Sequence, residues 1–459
     1  MQNNTTGTIG QQDVAVHLHS YTNLAALPTT PPLVVVEGDG IHVVDDTGRR
    51  YLEGMSGLWC ASLGFSNKRL AAAGSQALNT LPYYHTFNQR TNPAVVQLAE
   101  RLLALAPVPM ARVFFANSGS EANDSAVKMV WYYYNAIGKP AKKKIIARKR
   151  AYHGVTVAAA SLGGLDANHR DFDLPLERFL HTDTPHHYHG AGPGESEEDF
   201  ATRLADALEQ QILAEGADTV AAFIAEPVMG AGGVVVPPAT YFEKVQAVLA
   251  RHEVLFIADE VICGFGRTGN MFGSTTFGMR PDILTCAKAL SSGYVPISAV
   301  MVNDKVHAAI AANSGKIGTF GHGYTYSGHP VASAVALETL KVYEDEDILG
   351  HVQSLAPQFQ AAIRSFAGRA LVGECRGVGL IGAIELVEDK AAHKPFAADR
   401  KVGYRLAAFA LEEGLIVRAM GDSIGLCPPL IITAEEVTDL FARLGRAFDK
   451  LEAEMLATA

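Results

Sequence analysis

The chain has 459 residues, enough for two or three domains or for one large α/β domain with a satellite. Apolar residues make up 48% and charged residues 19%, the balance of an enzyme with an extensive buried sheet. A formal net charge of −10 argues against a general nucleic-acid or membrane-surface binder but leaves room for a local basic pocket.

The opening residues 1–7 lack the basic and apolar regions of a signal peptide, and no apolar run approaches the length of a membrane span. The 5 cysteines (Cys60, Cys263, Cys286, Cys375 and Cys427) show no CxxC spacing, which suggests neither a zinc ribbon nor a disulfide framework. Together these features predict a cytoplasmic protein in a reducing compartment. Residues 1 to about 30 are polar and Pro-flecked and read as an arm on a larger surface. Val34-Val35-Val36, a run from Ile41 and Arg50-Tyr51-Leu52 read as a small antiparallel meander. From about 95 to 330 the pattern becomes helix, short apolar strand, helix. Its strands are expected at Arg112-Val113-Phe114-Phe115, Lys144-Ile145-Ile146-Ala147-Arg148, a run from Thr219 to Ala225, runs ending at Ala258 and Ala287, and a run from Ile297 to Val302. This alternation predicts a mostly parallel, doubly wound sheet. Beyond 330, two helical patterns precede short strands around 370–387 and 415–427, and a last helix fills about 434–456. The final portion, joined by the N-terminal meander, reads as a smaller α+β domain.

Several polar residues sit where those strands end. Asp259 follows Val254-Leu255-Phe256-Ile257-Ala258, and Lys288 follows Ile283-Leu284-Thr285-Cys286-Ala287. Strand ends of this kind face the crevice in which open α/β sheets bind ligands. A desolvated lysine there becomes a nucleophilic amine able to form a Schiff base, and a carboxylate facing a pyridine ring keeps it protonated. Ser118-Gly119-Ser120-Glu121 lies between a strand and a helix, a place for an anion or simply for a helix cap. Tyr152, in Tyr152-His153-Gly154, could stack on a flat ring or be an ordinary buried tyrosine, and Glu226 could face the same crevice or solvent. Arg418 could hold a carboxylate, and Trp59 could wall a pocket. The two Gly-x-Gly-x-x-Gly matches, at 264–269 and 377–382, lack the following helix that a dinucleotide fingerprint needs and read as coincidental. His186-His187-Tyr188-His189 reads as a surface loop without a nearby acidic or cysteine partner, and no metal is expected.

Taken together, Asn117-Ser118-Gly119-Ser120-Glu121-Ala122, Tyr152-His153-Gly154, Ala225-Glu226-Pro227, Ala258-Asp259-Glu260-Val261 with Gly264 to Gly269, Ala287-Lys288 and Tyr324-Thr325-Tyr326-Ser327-Gly328-His329-Pro330 occur in the order found in class III aminotransferases. Over nearly its whole length the chain resembles an ω-transaminase of the amine:pyruvate or β-alanine:pyruvate type, and Gly57-Leu58-Trp59-Cys60 is similar to that subgroup. The resemblance implies a pyridoxal 5'-phosphate (PLP) dependent transferase of fold type I. Its large PLP-binding domain is expected over 61–335, with the arm and meander (1–60) and residues 336–459 forming the small domain.

It further implies Lys288 as the Schiff-base lysine and proton carrier, and Asp259 as the partner of the ring nitrogen. Val261 is expected beneath the ring and Tyr152 above it, with Glu226 near the ring oxygen. Ser118, Gly119 and Ser120 are placed at the phosphate, joined by Thr325 from a partner subunit, which implies a homodimer with shared active sites, with a tetramer of such dimers left open. Tyr21, Leu58, Trp59, Phe87, Tyr152 and Ala231 match pocket-wall positions, and Arg418 matches an arginine that meets the carboxylate of a keto acid. The implied reaction moves the amino group of an ω-amino acid or primary amine to pyruvate by a ping-pong mechanism. A dialkylglycine-type decarboxylase is the alternative on the same fold, and a nicotinamide-dependent oxidoreductase or a non-enzymatic binding protein explains fewer of these residues.

Overall fold

The computed structural model describes residues 8–457, so the opening segment 1–7 read from the sequence lies outside the described residues. Three sheets organise the chain. The N-terminal meander forms as expected from β1 (Val35–Asp39), β2 (His42–Asp45) and β3 (Arg50–Glu53), each antiparallel to the next. The seven strands β4 (Arg112–Ala116), β5 (Lys144–Arg148), β6 (Phe179–Thr182), β7 (Val220–Ala225), β8 (Leu255–Asp259), β9 (Ile283–Cys286) and β10 (Ser298–Val302) build the central sheet. Its order is β4-β10-β9-β8-β7-β5-β6. Strand β10 runs antiparallel to both neighbours, and the remaining pairings are parallel. A third sheet joins β11 (Val372–Val378), β12 (Ile381–Leu386), β15 (Ser423–Leu426) and β14 (Arg418–Met420).

The short β13 (Leu415–Ile416) pairs in parallel with β3 through Leu415 and Leu52, tying the C-terminal segment to the N-terminal meander.

Burial explains why the central strands read as continuous apolar runs. Every residue of β7, β8 and β9 is buried. Successive residues face opposite sides, so Phe223, Ala225, Phe256 and Ala258 join one core while Ala222, Ile224, Leu255 and Ile257 join another. Helices cover both faces. The helix Gly119–Ala136 buries Ala122, Ala126, Val127 and Val130 against the second core at three- and four-residue spacing.

Some expectations change. The N-terminal arm carries a helix, Ile9–Val16, closed by a capping box between Thr8 and Gln11. Strand β6 was absent from the sequence reading, because Phe179-Leu180-His181-Thr182 is short and polar-tipped. The His186–His189 segment is not a partnerless surface loop. His186 is 3% exposed and its Nε2 meets Glu374 Oε2 at 2.8 Å, while His189 Nε2 meets Glu385 Oε1 at 3.1 Å. Both acids arrive from β11 and β12, nearly two hundred residues along the chain, where sequence spacing cannot reveal them. The Gly377–Gly382 match is the β11–β12 hairpin, with Gly379 at φ 58°, and no helix opens on it.

Candidate active site

The parallel register sets the site. Ala225 pairs with Ala258 and Asp259 with Thr285, so β7, β8 and β9 end side by side on one edge. Glu226 is the first residue beyond β7, Asp259 is the last of β8, and Lys288 opens a tight turn two residues beyond β9. Lys288 has φ 48°, in the left-handed region that non-glycine residues avoid, and Tyr21 (φ 49°) and Trp59 (φ 63°) share that conformation. Such backbone costs on the order of 1–3 kcal/mol per residue and gathers at functional sites.

Asp259 is held from several sides. Its Oδ2 accepts from Asn123 Nδ2 at 2.8 Å and from His153 Nδ1 at 2.7 Å, and its Oδ1 accepts from the Val261 N–H at 3.1 Å. Asn123 also donates to the His153 carbonyl at 2.7 Å, while its own Oδ1 accepts from the Thr285 hydroxyl at 2.9 Å. All of these side chains are buried. Charge-assisted hydrogen bonds in such surroundings fix a carboxylate in one rotamer.

A cradle lies beside it. Ser118 caps the helix Gly119–Ala136 by accepting from Glu121 N, and the N–H groups of Gly119 and Ser120 open that helix without an intrahelical acceptor. Absent side chains keep the cradle open. A Cβ on Gly119 would meet Val261 at 3.1 Å, and one on Gly154 (φ 132°) would meet the Ser120 Oγ at 2.5 Å. Ser120 Oγ in turn accepts from Val155 N at 3.0 Å. Free N–H groups at a helix start, with room for close backbone approach, suit a phosphate.

These groups surround a cavity of about 100 Å³ bounded by Gly119, Ser120, Glu226, Asp259 and Val261. A second cavity, of about 610 Å³, adjoins it, and Tyr152, Ile262 and Lys288 line both. Burial pulls the Lys288 ammonium below the usual lysine range. Cys60, Asp259 and Glu226 oppose that shift, and the Arg418 charge adds to it. Burial likewise pushes the Glu226 carboxyl up, while its oxygens accept from Tyr152 N at 3.1 Å and Gly230 N at 3.0 Å. The lysine therefore carries a more available lone pair than one in solvent.

Most residues singled out from the sequence converge here. Tyr21, Leu58, Trp59, Tyr152, Ala231 and Arg418 line the larger cavity. Ser118 spends its hydroxyl on the cap and lines neither cavity. Phe87 and Thr325 lie elsewhere, close to one another. The Phe87 ring abuts Gly323, and Tyr83 donates to the Thr325 carbonyl at 3.0 Å. Sequence reasoning assigned nothing to Asn123, His153 or Arg150. Asn123 did leave a trace, as a polar residue inside the buried stripe of its helix. His153 shows only as the middle residue of Tyr152-His153-Gly154, with no role of its own, and Arg150 leaves no trace.

Chemically, the arrangement offers an anion cradle, a fixed carboxylate and a lysine of lowered basicity around one small cavity, with an arginine-bearing chamber beyond. These residues fit a phosphorylated pyridine, and sheet and site together define a PLP-dependent enzyme of fold type I. The family model for class III aminotransferases (Aminotransferase class-III) matches residues 25–448, and the chain belongs to that family.

Among its relatives is gamma-aminobutyrate transaminase 1 of Oryza sativa subsp. indica, 52% identical over 422 residues, which cover 92% of this chain and 82% of that protein. Vanillin aminotransferase of Capsicum frutescens is 51% identical, with 92% of each chain covered. A thermostable ω-transaminase variant from Pseudomonas jessenii superposes with a TM-score of 0.96 at 54% identity, covering 97% of this chain and 99% of that one. The ω-transaminase of that organism in complex with PMP matches with the same TM-score at 53% identity, covering 97% and 98%. The protein is thus an aminotransferase that uses PLP.

Proposed function

We propose that this aminotransferase moves the amino group of an ω-amino acid or a primary amine to pyruvate in a ping-pong cycle. The observation that carries the reading is the union of two spaces. The cradle with Asp259 and Lys288 opens directly into a chamber of about 610 Å³ that bears Trp59 and Arg418. The chain's relatives, a gamma-aminobutyrate transaminase, a vanillin aminotransferase and ω-transaminases, support a donor whose amine sits at a chain end.

Bound PLP supplies an electron sink for the carbanion left when the donor loses its α-proton. The protein's own groups do the rest. The Gly119 and Ser120 N–H groups hold the phosphate, and Asp259, fixed by Asn123 and His153, faces the ring nitrogen. Val261 and Tyr152, which line the same small cavity, would bound the cofactor ring, and Glu226 positions Tyr152 by accepting from its backbone N–H. Lys288 Nζ would hold the cofactor covalently and would serve as the group that takes and returns the proton, for which its lowered basicity suits both directions. Arg418 receives the keto-acid carboxylate.

We read Thr325 and Phe87 as completing the site of a second subunit in a homodimer. The exposed aromatic patch around them (Tyr83, Tyr84, Phe87 and Tyr326) supports this, as such patches mark interfaces. The division into residues 61–335 and 1–60 with 336–459 is supported by the β3–β13 pairing. Five free cysteines support a reducing, cytoplasmic setting. No helix of the described residues is long and apolar enough to cross a membrane.

The test is spectroscopic. A primary amine should remove the visible band of the purified holoenzyme, and pyruvate should restore it. Lys288→Ala should lose both the borohydride-reducible attachment and turnover. Normal transamination by that variant would overturn the assignment of Lys288.

A further inference from the structure

The larger cavity holds a second arginine. Arg150 follows β5 by two residues, with its N–H bonded to Gly164 O at 2.9 Å and its backbone at φ 65°. Arg150 lines the same chamber as Lys288 and Arg418. It reaches Gly233, where a Cβ would lie 3.2 Å from Arg150 Nη2, 3.2 Å from Arg376 Nη2 and 3.1 Å from Ser423 Oγ. The glycine leaves room for the two guanidinium groups.

Their circumstances differ. Arg376 is neutralised by Glu374 and Glu385, each at 2.7 Å. Glu385 is further occupied by Ser423 Oγ and by His189 Nε2 at 3.1 Å. The Arg150 guanidinium makes no hydrogen bond and no ion pair among the described residues, and neither does that of Arg418. The chamber's lining includes one carboxylate, Asp166, exposed at its rim.

A guanidinium presents five N–H donors and stays charged at any working pH. Withdrawing it from water without a counter-charge is unfavourable. Burial does pull Arg150 down from the usual arginine range, with the Arg376 charge acting the same way and Glu385 against it. An unpaired cation facing a substrate chamber is the mark of a site completed by an anionic ligand. The cofactor phosphate is not that ligand, because its cradle lies in the smaller cavity, which Arg150 does not line.

We infer that Arg150 receives the distal carboxylate of an ω-amino acid donor. An ω-amino acid presents its amine to Lys288 at one end and a carboxylate at the other, so it needs a cation set away from the lysine. Arg418 is then left for the carboxylate of the keto acid, and each arginine serves its own half-reaction. The inference rests on the transaminase reading and narrows its donor class to carboxylate-bearing amines.

The holoenzyme tests it directly. The amine half-reaction is followed by loss of the cofactor's visible band, with ω-amino acids of three to six carbons set beside alkylamines of equal chain length. For the native enzyme, at least one ω-amino acid should react at a higher kcat/KM than its matched alkylamine. In Arg150→Gln that selectivity ratio should fall about 10- to 100-fold, the worth of a charge-assisted hydrogen bond, and the loss should be in KM. Arg150→Lys should recover part of it. Selectivity unchanged in Arg150→Gln, equal loss with both donor types, or a loss confined to the pyruvate step would each overturn the inference. So would a native enzyme without preference for any ω-amino acid. The broader transaminase reading would fail separately, through an absence of band loss with every amine.

Discussion

Asn123 offers the sharpest check on how the site is held together. It joins no cavity lining, yet it donates to Asp259 at 2.8 Å and to the His153 carbonyl at 2.7 Å, and it accepts from Thr285 at 2.9 Å. Asn123→Ala removes all three contacts. The bond to the carboxylate is worth about 1.5–3 kcal/mol, which corresponds to a rate factor of about 10–150 if it is needed to keep Asp259 aimed at the ring. The stranded His153 carbonyl and Thr285 hydroxyl add a stability loss of about 2–5 kcal/mol in this buried setting. The assay is the single-turnover amine half-reaction at saturating PLP and donor, with urea unfolding alongside. Thr285→Val is the internal comparison, since it loosens Asn123 without touching Asp259 and should slow the step far less. A native half-reaction rate in Asn123→Ala, despite the drop in stability, would refute the positioning role. So would a larger rate loss in Thr285→Val.

Arg418→Ala should depress the pyruvate half-reaction about 10- to 100-fold more than the half-reaction of a plain alkylamine, as expected when a carboxylate loses a bidentate partner. Stopped-flow comparison of the two steps decides, and equal losses would sink the role. Glu260 makes a prediction about pH. Burial raises its carboxyl from 4.5 to about 7, so the folded protein keeps a proton that the unfolded chain releases above its own pKa. Its contribution to stability is therefore full below pH 4.5 and is lost as pH rises to about 7, by about 1.4 kcal/mol per unit and roughly 3 kcal/mol in all. Glu260→Gln does not titrate, so its stability relative to the native protein should climb by that amount across the window. A flat difference in urea unfolding free energies would refute the assignment.

The sheet was legible because its strands are buried on both faces. An all-apolar run of five or six residues between helical patterns has few other uses, and β7 and the run 254–258 that leads into Asp259 are such runs. The polar residue ending each run was legible for the same reason, since Glu226, Asp259 and Lys288 interrupt sequences that otherwise exclude charge. What supports those residues was not legible. Asp259 depends on Asn123 and His153, which lie 136 and 106 positions away and meet it only through the fold. The carboxylate partners of His186 and His189 were hidden by the same distance in sequence.

The basic run Arg148-Lys149-Arg150 shows where pattern reading stops. Three neighbouring cations have three different environments. Arg148 is fully buried and donates to the Glu226 carbonyl at 2.6 Å, bracing the strand end that carries Glu226. Lys149 lies on the surface and pairs with Asp183 at 2.8 Å, a contact worth at most about 1 kcal/mol. Arg150, where the strand has ended and φ has turned positive, lines the larger cavity and has no ion-pair partner among the described residues. Composition and spacing treat the three alike. Just past the end of β5 the third of them, Arg150, has a positive φ and lines the larger cavity. Family motifs drew attention to Glu226, Asp259 and Lys288, whereas Arg150, the residue proposed for the donor's far end, belongs to no such motif.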